Sequence, residues 1–168
     1  MTILKEVMIE GILPKINQIY LKCCISIAEF RSAKESAEYE ACTFKVNDKS
    51  IIYRTAKITP TKIGQFVTIW KRNEREVTEP YHNNHDFDFF IITTLNGEHF
   101  GQFIFPKSVL LAKGIISGAN SVGKRGIRVY PPWDLTTNKT AKKTQDWQLA
   151  YFVNFDDDYP ALLKKMFK

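Results

Sequence analysis

No apolar run in this 168-residue chain approaches the roughly 20 residues that a membrane helix requires. The opening MTILKEVMIEG has early acids and no cleavage-like segment behind an apolar core, so no secretory leader is read there. Cysteine is scarce. Cys23, Cys24 and Cys42 are an odd number with a vicinal pair, which suits neither a disulfide framework nor, without a C-x-x-C pair, a thiolate zinc site. A reducing compartment fits best, and the chain reads as soluble and cytoplasmic. Repeats, low-complexity blocks and linkers are also missing, so one domain over residues 1–168 is expected.

Acidic side chains are the next absence. Between Arg54 and Arg72 the run YRTAKITPTKIGQFVTIWKR holds Arg54, Lys57, Lys62, Lys71 and Arg72 and no carboxylate. From residue 101 to 145 there are eight cations, among them Lys107, Lys113, Lys124, Arg125 and Arg128, against the single acid Asp134. That local excess is larger than the +6 of the whole chain, so the positive charge is concentrated. Concentrated charge focuses a field on a polyanion, whereas dispersed charge mainly aids solubility.

What is present is a foldable composition: 44% apolar residues, with Phe 12, Tyr 7 and Trp 3. Leu4, Val7 and Met8 with Ile3 share a helical stripe over 3–12, and Ile16, Ile19 and Tyr20 resume it after Pro14. The Ala, Glu, Lys and Ser of 30–40 suggest a further exposed helix or turn. Strands are expected at 43–46 and 51–58 around a polar turn, at 65–71, at 88–94 and 101–105 around Asn96-Gly97, and at 125–130. Pro106 opens a helix that Gly114 ends. Residues 147–152 return to the core as helix or strand, and Leu162, Leu163, Met166 and Phe167 could make a short amphipathic helix with no evident packing role.

The runs RTAKITPTKIGQFVTIWKRN, DFDFFIITT, FGQFIFPKSVLLAKGIISG, GKRGIRVYPPWD and KTQDWQL resemble the hallmark blocks of the MepB family. These are small bacterial proteins named for a gene beside a multidrug efflux pump and its repressor. The resemblance implies an α/β fold with a mixed or antiparallel central sheet flanked by helices, similar to the restriction-endonuclease-like PD-(D/E)xK group. Its core runs helix, three antiparallel strands, helix, strand. That group cuts phosphodiesters with two carboxylates on a divalent metal and a lysine that activates water. Carried over residue by residue, Asp88 matches the first acid and metal ligand, Gln102 stands where the second acid should be, and Ile104 occupies the lysine position. Lys107 is the nearest displaced lysine and Glu40 an acid that a helix could lend, so a nuclease would use Mg or Mn through Asp88, Gln102, Lys107 and Glu40. Thr55-x-Lys57 offers a second register, again without its acid. The signature is degenerate.

Two further patterns are weighed against context. GANSVGKR at 118–125 is one residue from a P-loop, but a helix precedes it and a strand follows, and Arg125 has no hydroxyl for magnesium. It stays a phosphate-clamp candidate through Lys124 and Arg125. His82, His85, Asp86 and Asp88 are metal-ligand types at no known spacing. The reading that gathers most of these features is a basic nucleic-acid-binding protein. Its proposed contacts are Arg54, Lys57, Lys62, Lys71, Arg72, Lys107, Lys124, Arg125 and Arg128, with Trp133 as a stacking aromatic and no membrane partner. A metal-dependent nuclease is one alternative. The other is a protein-interaction module of a drug-response system that docks through Leu162, Met166 and Phe167.

Overall fold

Turn chemistry sets the first hairpin. In the computed structural model, which describes residues 11–168, Asn47 and Asp48 both have positive φ (48° and 65°), and this lets strands β2 (Cys42–Val46) and β3 (Lys49–Thr55) pair antiparallel across two residues. The second hairpin turns at Gly97, φ +60°, and joins β8 (Phe89–Asn96) to β9 (His99–Pro106). Strand β1 (Ile27–Ser32) flanks β2 antiparallel, while β3 and β8 run parallel and merge the hairpins into one sheet. With β11 (Phe152–Asn154) on β9, the order is β1-β2-β3-β8-β9-β11. Parallel pairing demands a crossover. That crossover carries β4 (Lys57–Ile58), β5 (Gln65–Thr68), β6 (Trp70–Arg72) and β7 (Thr78–Pro80).

Both faces of the central sheet are covered, which is why β8 and β9 read as nearly continuous apolar runs. On one face Ile51, Tyr53, Ile91 and Ile104 pack under helix α1 (Leu13–Lys22) and helix α4 (Pro160–Met166). On the other, Ile52, Phe90, Ile92, Phe103 and Phe105 meet Val67, Ile127 and Val129 of a second, three-stranded sheet. Its order is β10-β5-β4, with β10 at Gly126–Val129. Helix α2 (Lys107–Ala112) follows Pro106 and stops before Gly114, whose φ is +67°. Helix α3 (Lys139–Gln148) is capped by Asn138, whose side chain accepts the Ala141 N–H at 2.8 Å.

The mixed α/β architecture with a central mixed sheet is as the sequence implied, and several details differ. Of the segment 30–40 expected as helix or turn, residues 30–32 belong to β1, because pairing with β2 overrides their helical composition, while Ala37–Tyr39 form a single 3-10 turn. The segment 65–71 is two strands in different sheets, broken at Ile69, whose N–H bonds to Arg125 O instead. Strand 125–130 joins the small sheet, and β11 is the late strand that completes the large one. The C-terminal helix has a packing role: Leu163 and Phe167 are buried, with Phe167 edge-on to Tyr20 and Phe89. The docking face expected of Phe167 is therefore spent inside the protein. The helix expected over 3–12 falls outside the described residues except for Gly11 and Ile12. Among the described residues no helix is long and apolar enough to cross a membrane.

Candidate nucleic-acid interface

Strand alternation sorts the small sheet into two faces. Gln65, Val67, Ile127 and Val129 point inward and are buried. The opposite face carries a cross-strand row, because Lys57 is the register partner of Phe66 and Phe66 that of Arg128. The Phe66 ring lies against Gly126, where an added Cβ would fall 2.6 Å from its Cζ, and stands edge-on to Tyr39 with centroids 6.3 Å apart. The Lys57 ammonium sits 5.1 Å from the Tyr39 ring centroid. Arg128 donates to Thr59 Oγ1 at 2.7 Å and, at longer range, to Ile63 O and Gly64 O. That guanidinium straps down the loop that presents exposed Lys62.

Beyond Arg128 the face drops into a groove between β10 and α3, about 360 Å³ in volume. Lys113, Lys124 and Arg128 line it with Tyr130, Thr144, Trp147 and Gln148, and its lining includes no carboxylate. The helix is held there by amides. Gln148 accepts the Tyr130 N–H at 2.9 Å and donates to Arg128 O at 2.9 Å, so its side chain acts as a partner strand for the edge of β10. Gln145 donates to Pro131 O and Asp134 O at 3.0 and 2.9 Å. Trp147 rests on Phe105, centroids 5.4 Å apart, and the Lys113 ammonium lies 5.3 Å from the indole.

None of these cations has an ion-pair partner among the described residues. Among the described residues the ion pairs are Lys45 with Glu29, His99 with Asp156 and Lys142 with Asp146. A concave surface lined by one sign of charge raises the local concentration of anions.

The remaining sequence-derived contacts lie elsewhere. Arg54 is 1% exposed, with its guanidinium bonded to Tyr53 O and Tyr81 Oη and placed over Phe90. It shares the face of Ile52 and Ala56, which the small sheet covers, so it cannot meet a phosphate. Lys71 and Arg72 sit on β6 in a hollow shared with Glu74, Glu79 and His85, and Arg72 is occupied with Glu76 O. Arg125 donates to Thr78 O. Trp133 is a plug over the sheet, stacked on His99 at 5.1 Å with its Nε1 buried and unpartnered. Lys113, Trp147 and Gln148 are absent from the contact set read from the sequence, because only the packing of α3 on β10, beside the end of α2, makes them neighbours.

The residues carried over from the nuclease signature are not gathered. Asp88 is exposed at the start of β8, where its carboxylate accepts the Ser50 N–H at 2.8 Å. Gln102 pairs with Thr93, five residues and about 16 Å farther along. Its amide is satisfied within the core by the Tyr20 hydroxyl at 2.7 Å and Thr93 Oγ1 at 3.0 Å. The chain of bonds continues through Tyr53 and Thr55 to Glu40, which accepts from Thr55 Oγ1 at 2.6 Å and from the Ile12 N–H at 2.8 Å. Glu40 thus caps α1 from a distance. Lys107 donates to His85 O. These residues do not fit a shared Mg or Mn ion. Among the described residues no three His, Cys, Asp or Glu side chains are placed to hold a metal. His82 and His85 spend their Nδ1 atoms as acceptors within their own turn.

The MepB-like family matches residues 33–154. The crystal structure of MepB is similar at 37% identity, with a TM-score of 0.79, over 86% of this chain and 98% of that one. A bacterial homing endonuclease, I-Ssp6803I, is matched at 16% identity and a TM-score of 0.42, over 80% of this chain and 84% of that one. No curated protein matches the chain.

Proposed function

The chain belongs to the MepB-like family, and for this member we propose nucleic-acid binding through the phosphate backbone. The binding surface is the outer face of the small sheet and the groove that continues it. The observation that carries the reading is the groove itself, where Lys113, Lys124 and Arg128 converge with no lining carboxylate. Lys57 and Lys62 extend the same face. With Arg128 engaged by Thr59, Ile63 and Gly64, the lysines Lys57, Lys62, Lys113 and Lys124 release about four counterions, so log affinity falls with log salt at a slope of about −3 to −4.

Binding of a labelled oligonucleotide measured from about 50 to 200 mM salt tests this. The paired substitution Lys113→Ala, Lys124→Ala is expected to flatten the slope by about 1 to 2 and Lys71→Ala to leave it unchanged. A flat slope in the unaltered protein, or equal losses from both variants, would overturn the reading.

A further inference from the structure

We infer that the groove between β10 and α3 accepts an unpaired nucleotide, so that the ligand class of the binding face is single-stranded nucleic acid. The inference rests on the nucleic-acid reading above and deepens it.

Size is the first argument. At about 360 Å³ the groove lies at the lower end of the roughly 300–1,000 Å³ typical of small-ligand pockets. A stacked, paired duplex can offer only phosphates to its rim, whereas a free nucleotide can place its base inside. Chemistry is the second. Tyr130 and Trp147 line the same walls as the three cations, which is the pairing of stacking surface and charge that holds single strands.

Trp147 is already arranged as a stacking surface. One side of the ring system packs on Phe105 and Lys113 lies over the indole. The lysine is an exposed side chain just beyond α2, and a phosphate entering the groove draws its ammonium off the ring. The uncovered indole then receives the base. One cation thus holds the stacking surface until the ligand's own charge releases it. Gln148, the amide nearest the groove, already spends both of its polar ends on β10. It has little left with which to read a base edge, so recognition is tolerant of sequence.

The groove also has an approach. Lys57, Phe66 and Arg128 form a row across three strands that ends at the groove lining. Cation, aromatic and cation therefore lead a flexible strand toward Tyr130 and Trp147.

The experiment compares an oligothymidylate with a blunt duplex of equal length on the unaltered protein at one salt concentration. Accessibility of Trp147 to acrylamide is followed in a Trp70→Phe, Trp133→Phe background. Tighter binding of the single strand, about tenfold or more, with shielding of Trp147, is expected. Lys113→Ala should leave Trp147 more open before ligand is added. Equal, salt-dependent binding of both ligands with Trp147 unshielded overturns the inference while leaving phosphate binding in place. Absence of binding to either ligand overturns both. The comparison of the two ligands needs no substitution, so it decides the matter even if the double variant folds poorly.

Discussion

The side-chain amide of Gln148 bridges the main chain on either side of Val129, donating to Arg128 O and accepting from Tyr130 N, each at 2.9 Å. An edge strand normally leaves such groups to solvent or to another chain; here an amide from α3 takes the place of a neighbour. Replacing Gln148 with Leu leaves two polar groups unpaired under a helix. The expected loss is about 2 kcal/mol, or roughly 4–8 °C in Tm for a chain of this size, read by thermal denaturation. Affinity for nucleic acid should fall with it, because the same bonds set one wall of the groove.

Arg54 offers the opposite test. Its guanidinium is buried with Nε unpartnered and no carboxylate within ion-pair range among the described residues. Apolar replacement of a buried charge is often neutral or stabilising. Arg54→Met is expected to stay within about 1 kcal/mol of the parent in urea denaturation, with an unchanged salt slope of binding. A weakened salt slope would return Arg54 to the contact set.

The start of α1 depends on two residues far apart in sequence. Ile12 supplies no capping side chain, and Glu40 fills the role by accepting the Ile12 N–H. Gly11 permits it: its φ is +84°, and a Cβ there would fall 1.5 Å from Glu40 Oε1. Glu40→Ala should cost about 1–2 kcal/mol, and Gly11→Ala a comparable amount. Because both act on one carboxylate, the double variant should be less destabilised than the two losses added together. A double-mutant cycle by chemical denaturation checks this, and strict additivity would refute it.

Burial holds the His85 pKa below its ordinary value, and nearby Lys71 adds to the effect. The ring is a neutral acceptor of the His82 N–H at 2.9 Å. In the unfolded chain the imidazole takes its proton near pH 6.5, so acid favours unfolding. The contribution of His85 is fully present above that pH and is lost as pH falls through the lower folded value. Stability profiles from pH 7.5 to 5 should therefore slope less steeply for His85→Gln than for the parent; identical slopes would count against the assignment.

Local chemistry was the part of the fold most legible in the sequence. Asn47-Asp48, Gly97 and the Pro106 to Gly114 interval mark turns and helix ends through φ requirements that act within a few residues. Long-range pairing was not legible. Ile69 continues an unbroken strand pattern, yet the chain changes sheets there. Arg54 looks like a surface cation until the second sheet covers its face. The two basic stretches do meet, through the register of β4, β5 and β10, but only some of their members face outward. Asp88 immediately precedes β8 and Gln102 lies on its partner β9, yet the two are far apart, because register, rather than neighbouring strands alone, decides which side chains meet.

The small sheet joins residues that leave the ribosome far apart in time. Strands β4 and β5 emerge early, their partner β10 about 60 residues after β5, and the glutamine that secures β10 later again. Pairing over such separations is slow, since loop-closure entropy is lost before contacts compensate. A nascent chain halted before residue 148 would carry most of its lysines and arginines but lack the architecture that arranges them. Premature termination or proteolysis at the C-terminal side is therefore expected to abolish the proposed nucleic-acid binding without removing most of the charge.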